Sequence, residues 1–359
     1  MKIVVIGGTG LIGSKVVSKL AEQGHEAVAA SPNSGVNTLT GEGVADVLAG
    51  ASVVVDVSNS PSFEDNAVMN FFQTSTSNLL SAEAAAGVKH HVALSVVGTD
   101  RLAESGYMRA KMVQEKLIKD SPIPYSIVHA TQFFEFAKGI ADSSTVDGKV
   151  HMPPVLIQPI AAEEVSSAVA RVATGAPVNG IVEIAGPERF RMDDFIRQVL
   201  NARNDSREIV IDSEARYFGA LLAEKTLVAN DDAQVGHIRL KDWLANPANQ
   251  PPAQLKENEF RIKDVPQGSA LRLGDVSVFN VAGSFYATQS LCKHMKGELA
   301  KGKLEGSTLT CPKHGAQFNV TSGAVLRGPA TESLQTYKVT VDGEIGRVQL
   351  AGTSVASAS

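Results

Sequence analysis

The 359-residue sequence contains only two cysteines and one tryptophan, and it has no long apolar run. Two cysteines are too few for a disulfide framework, and unpaired thiols are typical of a reducing compartment. No apolar stretch approaches the eighteen or so residues that a membrane helix needs, and the glycines within residues 1–17 interrupt what would otherwise resemble a signal peptide. We therefore expect a cytoplasmic protein that does not cross a membrane.

The sequence also lacks any run of basic residues, and its formal net charge is −5. Such a chain has nothing to offset the charge of a phosphate backbone, so we expect no nucleic-acid partner. Hydrophobic residues make up 43% of the chain and charged residues 20%, which is ordinary for globular proteins. At this length we expect two or three domains.

Both cysteines fall in one pattern, C-x-H-x16-C-x-x-H, formed by Cys292, His294, Cys311 and His314. Thiolates suit the iron of a sulfide-bridged cluster, and imidazoles in place of two thiolates raise its reduction potential. A Cys2His2 set also suits tetrahedral zinc, although these paired glycine-containing loops do not have the spacing of a zinc finger. The pattern favours a Rieske-type [2Fe-2S] site that carries one electron at a time.

The second cysteine opens the run CPKHGAQFNVTSGAVLRGPA, residues 311–330, and with it the last hundred residues resemble the Rieske ferredoxin family. The resemblance implies that Cys292 and Cys311 ligate one iron and that the two histidines ligate the other. It also implies that residues 328–330 form the proline loop that covers the cluster. No cysteine remains for the disulfide of high-potential Rieske proteins, so the chain is similar to the ferredoxin type, nearer the lower end of the potential range.

At the amino terminus, a short apolar strand over residues 2–6 precedes a glycine-rich turn and an amphipathic helix that ends near Gln23. Glycines in such a turn let the backbone approach a pyrophosphate at the first helical turn. The spacing satisfies both G-x-G-x-x-G and G-x-x-G-x-x-G. The candidate cofactor-binding residues of the turn are Gly7, Gly8, Thr9, Gly10, Leu11, Ile12 and Gly13.

Apolar runs recur between helical stretches, which predicts a Rossmann-type, doubly wound parallel sheet of the α/β class. The predicted strands cover residues 27–30, 53–57, 92–97 and 125–128, and the predicted helices include residues 65–86 and 108–119.

The second predicted strand ends without the acidic residue that usually holds the ribose of NAD. No lysine or arginine stands between Lys19 and Lys89 to bind a 2′-phosphate. Ser31, Asn33 and Lys15 are the candidates for that role. The cofactor is predicted to be NADP(H) or NAD(H), and the missing acid favours NADP(H).

Tyr107 and Lys111 lie four residues apart, on one face of a predicted helix start. With GGTGLIG, YMRAK, IPYSIVHATQFFEF, VNGIVEIAGPE and ARYFGALL, residues 1–244 resemble the NmrA-like, atypical branch of the short-chain dehydrogenase/reductase superfamily. The resemblance implies proton transfer by Tyr107, assisted by Lys111 and Ser95. Relatives reduce small electrophiles such as quinones or only sense NADP, and a Tyr-x-x-x-Lys match also arises by chance.

The predicted substrate pocket departs from that family. The chain has His129-Ala130 where relatives often show an arginine–proline pair. We expect His129, Gln132 and Phe133 to line the pocket, with core packing as the alternative for Phe133.

Composition places the domain boundaries. Residues 1–245 form the predicted nucleotide-binding domain, and the proline- and amide-rich residues 246–257 a linker. Residues 258–350, with short strands at 270–273, 276–281 and 334–341, form an all-β domain. Residues 351–359 are expected to be a disordered tail.

Two functional hypotheses follow. In the first, the chain is an oxidoreductase that uses NAD(P)H to reduce a small carbonyl or quinone-like substrate, while the cluster relays single electrons. In the second, the cluster domain serves a separate oxygenase or reductase, and the first domain only docks or senses NADP(H). A flavoprotein or an oxygenase is the expected electron-transfer partner, because hydride transfer and one-electron transfer do not match directly.

Overall fold

A computed structural model describes residues 1–249 and 255–350. The chain divides into two compact units, Met1–Gln250 and Pro251–Ser359. The predicted tail and residues 250–254 of the predicted linker lie outside the described residues, whereas Pro247–Asn249 form a short 3₁₀ helix. No helix in the described ranges is long and apolar enough to cross a membrane.

The first unit is built on a seven-stranded parallel sheet. Its central strands are valine- and isoleucine-rich and buried on both faces, as a sheet covered by helices on each side requires. The strands of this unit are β1 (Lys2–Ile6), β2 (Glu26–Ala30), β3 (Val53–Asp56), β4 (His90–Val96), β5 (Tyr125–Ala130), β6 (Thr145–Val146), β7 (Lys149–Met152), β8 (Leu156–Ile157), β9 (Gly180–Ala185), β10 (Phe190–Arg191), β11 (Ile209–Ile211) and β12 (Gln234–Val235). The order in the parallel sheet is β12-β9-β5-β4-β3-β1-β2.

Helices cover both faces of this sheet. The α-helices are α1 (Leu11–Glu22), α2 (Val44–Leu48), α3 (Asp65–Ala86), α4 (Gly106–Asp120), α5 (Ala137–Ser143), α6 (Ala162–Thr174), α7 (Met192–Ala202) and α8 (Leu240–Ala245). The apolar sides of α1 and α6 pack on one face, and α2, α3 and α4 pack on the other. The predicted doubly wound α/β fold is confirmed.

A smaller lobe follows β5. It contains the short sheets β6-β7-β11 and β8-β10 together with α5 and α7. Its core is centred on the buried side chains of Phe134, Phe195 and Trp243. The sequence does not predict these short strands, because two to four residues give too little alternation to recognise.

The second unit is all-β, as predicted. Its strands are β13 (Glu259–Arg261), β14 (Ala270–Leu273), β15 (Val276–Val281), β16 (Ser284–Gln289), β17 (Lys303–Glu305), β18 (Thr308–Thr310), β19 (Gln317–Asn319), β20 (Val325–Arg327), β21 (Thr336–Tyr337), β22 (Val339–Asp342) and β23 (Ile345–Val348). They form three antiparallel sheets: β13-β23-β22, β14-β15-β16-β21 and β17-β18-β19-β20. The predicted strand 334–341 is divided, because Tyr337 pairs with Ala287 whereas Val339 pairs with Val348 in another sheet.

Candidate functional site

The glycine-rich turn lies between β1 and α1, at the edge of the sheet where all the parallel strands end. A Cβ on Gly13 would lie 2.1 Å from the Gly7 carbonyl oxygen, so the turn closes tightly only with glycine there. Gly10 precedes α1, and no side chain caps the helix. The amide groups of the first helical turn are therefore available to an anion such as a pyrophosphate.

Two of the three candidates for a 2′-phosphate lie beside this turn, after β2. Ser31 is buried, and its hydroxyl has no hydrogen-bond partner among the described residues, whereas Asn33 is exposed. A buried hydroxyl without a partner fits a site that a ligand completes. Lys15 instead forms an ion pair with Glu163 of α6 at 2.9 Å.

The Tyr107 hydroxyl lies at the same edge of the sheet. Ser105 caps α4 by accepting a hydrogen bond from the Met108 amide, which puts Tyr107 in the first helical turn. The phenol donates a hydrogen bond to Oδ1 of Asn59 at 3.3 Å. The residue before Asn59 is Ser58, and a Cβ added to Gly7 would lie 2.9 Å from the Ser58 backbone. The structure thus connects Tyr107 to the glycine turn through the segment after β3.

Burial raises the pKa of Tyr107 to about 12. Like an ordinary tyrosine, the phenol is protonated at neutral pH, the form that can donate a proton to a substrate oxygen. The raised pKa makes it a weaker acid than an ordinary tyrosine. Asn59 is not predicted from the sequence, although its position three residues after the buried strand β3 is a usable signal.

Lys111, by contrast, bonds to the interior of the unit. Its side chain is 2% exposed, and Nζ donates to the Leu94 carbonyl oxygen at 2.8 Å and to the Gln114 amide oxygen. Gln114 in turn donates to the buried Asp56 carboxylate at 3.0 Å. Burial lowers the pKa of Lys111 to about 8, against the opposing attraction of Asp56 and Glu115. These bonds join α4 to β3 and β4.

Ser95 of β4 lies in a second hydrogen-bond network, which is centred on Glu115 of α4. Its hydroxyl donates to Oε1 of Glu115 at 2.7 Å, and Nε2 of His129 lies 2.8 Å from the same oxygen. Although burial opposes ionisation, the bonds from His129 and Ser95 hold the pKa of Glu115 at about 2. Glu115 follows Tyr107 by eight residues, about 12 Å along a helix axis. No hydrogen bond within the described residues joins Ser95 to Tyr107.

The three residues predicted to line a pocket have different contacts in the structure. His129 bonds to Glu115 of α4, on one face of the sheet. Gln132, just beyond β5, is 6% exposed, and neither of its amide atoms has a partner among the described residues. Phe133 stacks on Phe136 at 5.1 Å. Of the three, Gln132 has the free hydrogen-bonding groups expected of a ligand contact at the carboxyl edge.

In the second unit, the two cysteine-containing segments fold as equivalent loops. The Cys292 amide donates to the Gly297 carbonyl and the Cys311 amide to the Ala316 carbonyl, both at 2.8 Å. The residue four after each cysteine has a positive φ, +56° at Lys296 and +73° at Gly315. The loops thus place one cysteine each in the same local geometry.

The sulfur and imidazole groups face different surroundings. Cys292 and Cys311 are 1% and 3% exposed and pack in one core cluster with Ala330 of the predicted proline loop. His294 and His314 are exposed, with ring centroids 5.1 Å apart. Burial, with a contribution from the neighbouring Cys311, raises the pKa of the Cys292 thiol. Both cysteines are free of disulfides.

Polar contacts connect the two loops and the following segment. Nζ of Lys313 donates to the Met295 carbonyl oxygen at 2.9 Å, and Lys293 forms an ion pair with Glu332 at 2.9 Å. These contacts join the loops without a disulfide.

Residues 252–338 match the family model of the Rieske [2Fe-2S] domain. The ferredoxin subunit of 3-phenylpropionate/cinnamic acid dioxygenase from Shigella flexneri serotype 5b is 42% identical over 86 residues, which are 23% of this chain and 81% of the relative. The subunit from Escherichia coli strain K12 matches at the same identity and coverage. The chain belongs to the Rieske [2Fe-2S] family.

Ahead of the Rieske unit, residues 7–174 match the family model described as NAD(P)H-binding. Two solved structures share the fold at 14% identity. A nucleoside-diphosphate-sugar epimerase from Staphylococcus aureus superposes with a TM-score of 0.52, and the match covers 68% of this chain and 100% of the epimerase chain. A dTDP-4-dehydrorhamnose reductase from Clostridium acetobutylicum superposes with a TM-score of 0.50, and the match covers 66% of this chain and 95% of the reductase chain. The first unit is an NAD(P)H-binding domain, and we name it the nucleotide unit.

The residues of the Rieske unit fit a [2Fe-2S] cluster. A Cβ on Gly297 would lie 2.7 Å from the Cys311 sulfur, so this loop approaches the sulfur as closely as glycine allows. Two buried sulfurs and two imidazoles are the donor set of a Rieske cluster. Within the described ranges, no group of three or more His, Cys, Asp or Glu side chains surrounds one metal position. A Rieske cluster does not require such a group, because each iron takes two protein ligands.

Proposed function

We propose that the chain is an oxidoreductase whose nucleotide unit uses NAD(P)H to reduce a small carbonyl or quinone-like substrate, and whose Rieske unit carries single electrons. The observation that carries the proposal is the position of the Tyr107 hydroxyl, joined through Asn59 to the segment that packs on the glycine turn. An acid and a dinucleotide site at one sheet edge are the requirements for hydride transfer with protonation.

The cofactor-binding residues in this proposal are the glycine turn and the segment after β2. Within the turn Gly7–Gly13, the amides of Gly7, Gly8 and Gly10 already donate to backbone carbonyl oxygens and shape the turn. The other amides, those of Thr9, Leu11, Ile12 and Gly13, would hold the pyrophosphate. Ser31 and Asn33 would hold the adenosine ribose or its 2′-phosphate, with the unpartnered Ser31 hydroxyl as the supporting observation.

When bound, the reduced nicotinamide supplies a hydride to the carbonyl carbon. Tyr107 gives its proton to the substrate oxygen and regains one from solvent, so a carbonyl that takes the hydride on its carbon becomes an alcohol. In a quinone the hydride and the proton end on the two carbonyl oxygens, so that a hydroquinone forms. The cofactor is left oxidised. Lys111 and Ser95 act in this proposal as positioning residues, since their bonds to Leu94 and Glu115 fix α4 against the sheet.

In the Rieske unit, Cys292 and Cys311 would hold one iron and His294 and His314 the other. The cluster supplies one-electron transfer. The exposed imidazoles leave that side of the site accessible to an electron partner. Because a hydride delivers two electrons together, the two units need an intermediate carrier, either a quinone-like substrate that accepts electrons in both ways or a flavoprotein.

Steady-state NADPH oxidation with aldehydes and quinones tests the reductase. Tyr107→Phe should lower kcat roughly 10²- to 10⁴-fold, the usual contribution of a general acid. Tyr125→Phe is the matched control, because Tyr125 begins β5 at the opposite edge of the sheet. Absence of turnover with every electrophile would contradict the proposal.

A second candidate function is a ferredoxin for a separate oxygenase, with the nucleotide unit as a sensor or docking module for NADP(H). The 42% identity to dioxygenase ferredoxin subunits favours it. In this case the full chain, reduced by a flavoprotein ferredoxin reductase, should pass electrons to an aromatic-ring oxygenase, and Cys311→Ser should abolish the transfer. A chain that accepts electrons from no ferredoxin reductase would count against this function.

A further inference from the structure

Two exposed phenylalanines flank the Tyr107 phenol. Phe63 is 54% exposed and Phe218 is 40% exposed. The Tyr107 ring centroid lies 5.6 Å from that of Phe63 and 6.0 Å from that of Phe218, and the two phenylalanine centroids are 5.5 Å apart. These three rings, which we name the aromatic wall, form one cluster that includes the phenol proposed as proton donor.

Phe218 takes part in this wall in a strained backbone conformation. Tyr217 and Ala220 exchange backbone hydrogen bonds of 2.8 and 3.1 Å, and the two residues between them, Phe218 and Gly219, have φ angles of +47° and +86°. Two-residue hairpins with positive φ at both central positions favour asparagine and glycine, because larger side chains are strained there. Strained residues of this kind cluster at functional sites.

The hairpin is fixed, so Phe218 cannot simply turn into the core. Tyr217 is 7% exposed and belongs to the core of the smaller lobe. Nη1 of Arg216 donates to Glu104 and to the Gly219 carbonyl oxygen, each at 2.8 Å. The ring of Phe218 is therefore held at the surface beside Tyr107, and a ligand that covers it would remove apolar area from water.

We propose that the aromatic wall binds a planar six-membered ring, aryl or quinoid, whose carbonyl oxygen reaches the Tyr107 hydroxyl. Aromatic rings attract one another in offset or edge-to-face arrangements at centroid distances of about 4.5 to 7 Å, and an open-chain or saturated substrate gains none of this. The proposal rests on the proposed reductase function and names its substrate class. An aryl aldehyde or ketone takes the hydride on its carbonyl carbon and the Tyr107 proton on its oxygen. A quinone takes the hydride and the proton on its two carbonyl oxygens.

The test compares benzaldehyde with cyclohexanecarbaldehyde, which differ in ring planarity but not in ring size. With NADPH, Phe218→Asn should lower kcat/KM for benzaldehyde about tenfold while changing it little for cyclohexanecarbaldehyde, since asparagine fits the backbone but lacks the ring. Phe218→Tyr keeps a ring and should keep the preference. Equal changes for both aldehydes, or no change, would overturn the proposal.

If the wild type reduces neither aldehyde and no quinone, the reductase function fails, but the aromatic wall is still tested by binding. Calorimetric titration of the NADP⁺ complex with benzamide and cyclohexanecarboxamide, which are not reduced, should show tighter binding of benzamide in the wild type and equal binding in Phe218→Asn. Equal binding by the wild type would refute the wall as a ring site. So would a dimer that dissociates in Phe218→Asn during sedimentation, because a second copy would then cover the wall.

Discussion

Replacing Lys111 by methionine should change how the stability of the nucleotide unit depends on pH. The side chain is 2% exposed, and burial lowers its pKa from 10.5 to about 8. Between these two values the unfolded chain binds a proton that the folded chain does not, so stability rises with pH across that window. Methionine removes this titration and leaves the other ionisable groups in place.

The magnitude follows from the size of the shift. A displacement of the pKa from 10.5 to about 8 corresponds to roughly 3 kcal/mol, most of which falls between pH 7 and pH 10. The free energy of unfolding of the wild type, relative to Lys111→Met, should therefore increase by about 2 to 3 kcal/mol over that range. The raised pKa of Tyr107 affects both proteins above pH 10 and cancels in the difference.

Urea unfolding followed by tryptophan fluorescence gives this difference, because Trp243, the one tryptophan of the chain, lies buried in the nucleotide unit. Lys116→Met is the matched control, since the Lys116 side chain is 74% exposed on the same helix. The control should show no such rise relative to the wild type. If the difference in unfolding free energy between wild type and Lys111→Met does not change from pH 7 to pH 10, burial does not lower the pKa of Lys111 and the reasoning is refuted.

Three further substitutions test other parts of the structure. Gly297→Ala should lower the amount of cluster bound, measured by iron content and visible absorption, because its Cβ would lie 2.7 Å from the Cys311 sulfur. Gly139→Ala in α5, with open space around it, should keep the cluster. Equal loss in both variants would contradict a close approach of Gly297 to the cluster. Lys296→Gly should stabilise the Rieske unit by about 1 kcal/mol in thermal unfolding, because the φ of +56° at this position strains a lysine but not a glycine. A lower Tm in the variant would show that Lys296 is not strained. His91→Leu should lower the free energy of unfolding of the nucleotide unit in urea by about 3 to 5 kcal/mol, because it leaves the fully buried Glu83 unpaired. The double variant His91→Leu/Glu83→Leu should regain most of that stability. If it does not, the broken pair is not the cause of the destabilisation.

The pH dependence of the His91 and Glu83 pair has a defined sign. Although burial opposes it, the Glu83 carboxylate raises the pKa of His91. The stabilisation is therefore fully present below the ordinary pKa of 6.5 and declines as the pH rises through the raised value.

The parts of the molecule that depend on local pattern were predictable from the sequence. Val53–Asp56 and Tyr125–Ala130 are strands because short β-branched runs favour buried parallel strands. The cluster loops were recognisable because Cys292 and His294, and likewise Cys311 and His314, lie within a few residues of each other.

Contacts between distant segments were not predictable. The bonds of Lys111 to Leu94 and of Ser95 to Glu115 depend on how α4 is rotated against β4, which no local spacing determines. The approach of Phe218 to Tyr107 depends on a hairpin more than a hundred residues further along the chain. The RYFG segment was visible in the sequence, but its positive φ angles were not.

The most direct test of the account is electron paramagnetic resonance of the purified, cluster-loaded chain under anaerobic conditions. Dithionite should produce a Rieske-type signal, NADPH alone should not, and NADPH with a quinone or a flavoprotein reductase should, because a hydride and a one-electron cluster need an intermediate carrier. No signal with dithionite would contradict the proposed ligands, and a full signal with NADPH alone would contradict the separation of the two electron-transfer steps.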